Sequence, residues 1–151
     1  MEEKYRNLNL IFDEYNGTTV CKMTYDGKEF FGHAVCAPED MDMLSKKTGE
    51  EIALRRCSIA VLKYEKQKIK NELNGLKTLY YSINTSKRYN PKSYEAVMLN
   101  RQIKMRVEDI ADLEKEIKET DEYIKNYIIQ KDDFYKKIRK IREKYPEGKT
   151  N

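Results

Sequence analysis

The chain is poor in the residues from which catalytic and metal centres are usually built. One histidine, His33, leaves no second imidazole for a catalytic triad or a metal set. Three cysteines, Cys21, Cys36 and Cys57, show neither CxxC spacing nor an even count. They read as small apolar core residues of a protein kept in a reducing cytosol. There is no glycine-rich phosphate loop and no zinc pattern. An enzyme is not expected, and neither is a cofactor. The acids Glu39, Asp40 and Asp42 lie close together but lack the spacing of a calcium loop, so no metal is expected either. No stretch of about eighteen apolar residues offers a membrane span. The opening Met1 to Arg6 has no apolar segment of the secretory kind, so a cytoplasmic location is expected.

What the chain does have is charge. Of 151 residues, 37% are charged and only 39% belong to the hydrophobic set, with a formal net charge of +4. That balance suits long solvent-bathed helices better than a thick globular core. The length fits one domain. It divides into a strand region and loop over 1–44, a helical hairpin over 45–145 and a tail over 146–151.

The first region has the signals of an antiparallel meander. Strands are expected over Asn7 to Tyr15, Thr18 to Tyr25 and Lys28 to Cys36. Asn16-Gly17 and Asp26-Gly27 supply the dipeptides that tolerate positive φ in two-residue hairpin turns. On the third strand Gly32, Ala34 and Cys36 make one face small, which lets a helix approach closely. Ala37 to Lys47 reads as a loop, with Pro38 opposing regular structure. Thr48 to Glu51 has the form of a capping box, placing the helix start near Glu50 with acids in its first turn.

The second region is organised by an apolar seam. Isoleucine recurs at Ile103, Ile110, Ile117, Ile124 and Ile138, with Lys131 out of pattern. Three places after these stand Arg106, Leu113, Thr120, Tyr127, Phe134 and Ile141. A matching stripe runs through Ile59, Leu62, Ile69, Leu73, Leu76, Tyr80 and Ile83, interrupted by Lys66. Gly75, inside that helix, suggests close packing. Thr85 to Asn90 breaks the pattern, Asn90-Pro91 restarts a helix, and Pro146 with Gly148 stops it. The fold class is therefore α+β: a three-stranded meander followed by a long two-helix hairpin. Folding the helices back at the break sets Ile69 opposite Arg106. It also leaves Tyr127, Ile128, Phe134, Ile138 and Ile141 beyond the first helix, so either the sheet or a second subunit must cover them. A homo-oligomer is expected.

Binding is better supported than catalysis. Between Thr85 and Arg106 six bases (Lys87, Arg88, Lys92, Arg101, Lys104, Arg106) meet one acid, Glu95. Tyr80, Tyr81, Tyr89 and Tyr94 lie among them. Guanidinium groups pair with phosphate oxygens and an aromatic face stacks on a base, so a nucleotide would be served by this set. A solvated basic turn explains it equally. Arg55 and Arg106 sit on the apolar stripe, where each needs an anion or a neighbouring acid.

The run Phe31-Gly32-His33-Ala34-Val35-Cys36-Ala37-Pro38-Glu39-Asp40, followed by Gly49 and Ala53-Leu54-Arg55-Arg56, resembles the phage-encoded Thoeris anti-defence proteins of the first described type. The resemblance implies a sponge, acting in the cytoplasm of an infected bacterium, that holds cyclic ADP-ribose isomers without cleaving them. It also implies that some members take cyclic oligonucleotides at separate sites, and that oligomers form with pockets between subunits. The ligand-binding positions it implies are Arg56, Tyr81, Asn90 and Arg106, with Arg55 and Tyr89 beside them. Two alternatives come from the residues themselves. One is a coiled-coil interaction module that inhibits or adapts a host protein. The weaker one is nucleic-acid binding, which the acids spread along the second helix oppose.

Overall fold

The computed structural model describes residues 7–43, 45–85 and 93–145. Three strands, β1 (Asn9–Asp13), β2 (Thr18–Tyr25) and β3 (Lys28–Val35), form an antiparallel sheet in the order β1-β2-β3. A 3-10 turn over Pro38–Met43 leads into α1 (Lys46–Asn84), and α2 covers Tyr94–Lys144. This is the expected α+β arrangement. It divides into two compact units. The first joins Met1–Ala60 to Glu119–Asn151, and the second is Val61–Lys118. Both helices pass through both units.

In the first unit the sheet is built by alternation. Along β2, Thr19, Cys21, Met23 and Tyr25 are buried, and the residues between them are half-buried. Gly32 on β3 stands beside Cys21 in the register, and Ala34 beside Thr19. These small positions bring α1 against the sheet. A β-carbon at Gly32 would lie 2.1 Å from the Ala53 carbonyl oxygen and 2.4 Å from the Cys57 nitrogen. The Cys57 thiol donates to the Phe30 carbonyl at 3.3 Å. The close helix-on-strand approach expected from the small face of β3 is therefore present.

The two turns differ from one another. At Asp26-Gly27 both residues have positive φ, 52° and 72°, the two-residue geometry that the dipeptide favours. At Asn16-Gly17 only Gly17 does, with φ 63°. There β1 ends early because the Asp13 carboxylate accepts from the backbone of Tyr15 at 2.9 Å and from the Asn16 side chain at 2.8 Å. An Asx turn thus replaces the expected two-residue hairpin.

Helix α1 starts four residues earlier than expected. The Ser45 hydroxyl accepts from the backbone N–H of Thr48 at 3.2 Å, so Ser45 is the cap and Thr48 lies inside the first turn. That turn carries no acid. Pro38, expected to oppose regular structure, instead begins the 3-10 turn, where a fixed φ and a missing N–H cost nothing. Helix α2 starts after Ser93, whose hydroxyl accepts from Ala96 N–H at 3.3 Å. The expected start at Asn90-Pro91 lies outside the described residues.

In the second unit the helices run antiparallel along the expected seam, with Leu73, Ala96 and Leu99 buried and Ile103, Ile110, Leu113 and Ile117 half-buried. Glu72, not Ile69, faces Arg106, at 2.9 Å, and Lys66 reaches Glu114 at 3.7 Å. The register therefore differs from the expected one by about one turn. Gly75 packs against nothing within 4 Å, which overturns the reading of close contact there.

The seam on α2 changes near its far end. Ile124 is buried and Ile128 half-buried, but Phe134 is 52% exposed and Ile141 60% exposed. The inward positions become Lys131, Tyr135, Ile138 and Arg139. Here α2 meets the 3-10 turn and the start of α1, so its inward face follows a new line. Part of the expected overhang is thus covered by the chain's own first unit. Phe134 and Ile141 are not.

Candidate functional site

That change of face opens a cavity of about 350 Å³ in the first unit. Its wall is assembled from four places. Thr19 and Ala34 come from the sheet, Cys36 and Asp40 from the connection, and Thr48, Gly49, Ile52 and Arg56 from the first turns of α1. Helix α2 supplies Ile128, Lys131, Asp132, Tyr135, Lys136 and Arg139. Four cations, Arg56, Lys131, Lys136 and Arg139, therefore face two acids, Asp40 and Asp132. The volume is at the lower end for a small-molecule pocket and suits a group of nucleotide size.

Each polar group has an assignable state. Arg56 donates from Nη1 to the His33 carbonyl at 2.7 Å, which fixes the guanidinium and leaves its remaining N–H groups for other acceptors. Arg139 pairs with Asp40. Lys131 places its ammonium 5.5 Å from the centre of the Tyr127 ring and 5.9 Å from that of Phe134. Burial pushes the Tyr135 phenol above its ordinary range, against a hydrogen bond with Thr48 that lowers it. It therefore stays neutral, offering an aromatic face and an O–H. Thr19 is almost completely buried, and its hydroxyl oxygen finds no hydrogen-bond partner. That oxygen sits against Gly49, where a β-carbon would come within 2.2 Å of it. Buried hydroxyls are normally satisfied, so this one is a donor without an acceptor in the cavity wall.

Of the six positions expected to bind ligand, the cavity takes Arg56. Its neighbour Arg55 turns away and is engaged twice. Its Nε lies 2.8 Å from Glu51 Oε1, and its guanidinium carbon lies 3.8 Å from the centre of the Tyr123 ring. The Glu51 hydrogen bond raises its pKa further, which fixes the charge in place. Arg106 belongs to the second unit and is balanced there by Glu72. That 2.9 Å contact brings charges together without the angle of a directed hydrogen bond, since Arg106 Nε is buried and has no hydrogen-bond acceptor. Tyr81 is 70% exposed on α1. Tyr89 and Asn90 lie outside the described residues.

Reasoning from the sequence missed Thr19, Thr48, Tyr135 and Arg139. The one signal that could have found the α2 members was Lys131, a cation in a seam position otherwise held by isoleucine. A lysine there marks the place where the helix stops facing another helix.

No family model matches the chain, and no curated protein or solved structure matches it either. No helix among the described residues is long and apolar enough to cross a membrane.

Proposed function

We propose that this chain is a sponge that binds and sequesters a phosphorylated nucleotide signal of the cyclic ADP-ribose class, without cleaving it. The observation that carries this reading is the cavity of the first unit, where Arg56, Lys131, Lys136 and Arg139 surround one neutral tyrosine. Cations serve the phosphates and Tyr135 serves the base, the division of labour that nucleotide recognition requires. The cations outnumber the acids in the lining, so an anionic ligand is favoured over a neutral one. Arg56 is also where the resemblance and the cavity coincide. The protein works as a homo-oligomer in the cytoplasm of the infected bacterium, and a second copy covers the apolar residues left exposed on α2.

Isothermal calorimetry with purified cyclic ADP-ribose isomers tests this. Binding is expected, and heating the complex should return the ligand intact. Arg56→Ala removes a charged hydrogen-bonding group and should weaken binding about 10- to 100-fold. Arg106→Leu should leave affinity within about twofold, because Arg106 is already balanced by Glu72 and lies outside the cavity. Silence in the calorimeter at 100 µM ligand (roughly 5 kcal/mol of affinity) would reject the proposal.

A second reading is supported by Phe134 and Ile141, exposed on one side of α2, with exposed Tyr145 just beyond its end. Such a face suits an interaction module that lies on a host protein. A host protein copurifying in fixed ratio would favour it, and a self-contained oligomer with no such companion would dismiss it.

A further inference from the structure

The four cations of the cavity are not equally free to take a ligand. Arg56 is anchored through a single N–H to the His33 carbonyl. Lys131 rests against aromatic rings, and the exposed Lys136 stands at the cavity edge. Arg139 is different, because an acid of the same cavity already holds it. Asp40 is the more buried of the two, with 15% of its side chain exposed against 33% for Arg139. Both line the cavity. Asp40 thus presents to Arg139 the carboxylate oxygens that a ligand would replace with phosphate oxygens, and a guanidinium accepts either.

Other groups at the same wall point to a phosphate. The Thr19 hydroxyl is buried without an acceptor. Thr48 and Gly49, in the first turn of α1, line the cavity beside it, and no acid in that turn opposes an anion. A tetrahedral anion entering here would meet donors from α1 and α2 together. Its obstacle is Asp40, which both occupies Arg139 and repels negative charge.

We propose that the cavity is a phosphate seat with a built-in competitor. Asp40 holds Arg139 when the seat is empty and gives it up to a ligand phosphate. Affinity is then set by the difference between two anions competing for one guanidinium. A pyrophosphate group, with negative charges on two adjacent phosphates, displaces the single-charged carboxylate, whereas a lone carboxylate only exchanges like for like. The seat therefore selects phosphorylated ligands against carboxylates. This inference rests on the reading of the cavity as an anion site, and it goes further by naming the group recognised and the residue that tunes recognition.

The test is calorimetry of the full chain with inorganic pyrophosphate and, as a control, acetate. Pyrophosphate is expected to bind and acetate to bind at least tenfold more weakly. Asp40→Asn keeps the shape of the side chain but removes the charge that pairs with Arg139, and should tighten pyrophosphate binding at least fivefold. Asp132→Asn removes the other acid of the lining and should change it less than twofold. Asp40→Ser serves as a second variant should the asparagine protein fail to fold, and in either background Arg139→Gln should abolish the tightening. The proposal is overturned if Asp40→Asn binds pyrophosphate no better than the parent, or if Asp132→Asn tightens it equally. Absence of pyrophosphate binding in every variant also overturns it. Pyrophosphate binding with the expected Asp40 effect, but no binding of cyclic ADP-ribose isomers, keeps the seat and removes the sponge. Binding of those isomers with no Asp40 effect on either ligand keeps the sponge and removes the seat.

Discussion

At Gly32 the sheet and α1 meet through backbone alone. A methyl group there would overlap the Ala53 carbonyl and the Cys57 nitrogen, neither of which can swing aside as a side chain could. Gly32→Ala should therefore cost about 3 kcal/mol of unfolding free energy, measured by urea denaturation. The thiols beneath are equally constrained. Cys21 and Cys57 are fully buried, and desolvation, helped by the neighbouring Cys57, pushes the Cys21 thiol up to about 12. Burial raises the Cys57 thiol as well. Both are thus protonated and shielded, and native protein should leave them unlabelled by iodoacetamide under conditions that label them once unfolded. Mass spectrometry of the alkylated peptides reads this directly. The same shift has a pH consequence. The folded pKa of Cys21 lies above the value of 9.0 for an unperturbed thiol, so unfolding above that pH releases a proton. The stabilising contribution is complete below about pH 9 and is lost as pH rises toward 12. A melting temperature that stays level between pH 9 and 11 would contradict the assignment.

At the scale of elements, the seam was readable because a heptad is a long, redundant signal. Ile103, Ile110, Ile117 and Ile124 each repeat the same information, so loss of any one leaves the pattern intact. Caps are single residues and carry no such redundancy. Ser45 and Thr48 have the same chemistry, and the sequence offered Thr48 with a convenient Glu51, whereas the backbone bonds to Ser45. The candidate site was legible only at Arg56. Its other walls come from β2, the start of α1 and the end of α2, positions that are distant in sequence and share no periodicity. Gly75 shows how propensity misleads when taken alone. A glycine inside a helix costs stability, which invites a packing explanation, yet this one faces open space. Gly75→Ala is therefore expected to stabilise the protein by about 0.5–1 kcal/mol, seen as a higher denaturation midpoint.

For the whole molecule, the question is what the exposed apolar residues face. The first unit covers Ile124 and partly covers Ile128 and Ile138, yet Phe134 and Ile141 remain more than half exposed. The outer side of the sheet adds Ile11, Phe31 and Val35, also exposed. Burying each large side chain is worth about 1.5 to 3 kcal/mol, so their combined exposure favours self-association. Sedimentation equilibrium at micromolar concentration should return at least twice the single-chain mass of 18.0 kDa. Phe134→Glu should lower that mass while leaving the helical content unchanged. A single-chain mass for the parent protein would remove the oligomer.

The first unit also has a consequence in time. Its two segments are separated by the whole of the second unit, and Asp40 meets an arginine 99 residues further along the chain. During synthesis the sheet and the early turns of α1 emerge with their buried faces uncovered. The intervening helical unit, contiguous in sequence, can close first, because local contacts form faster than distant ones. The cavity comes last: until Tyr135 and Arg139 have left the ribosome, the wall that α2 supplies does not exist. A fragment that stops short of Tyr135 should therefore lack the cavity.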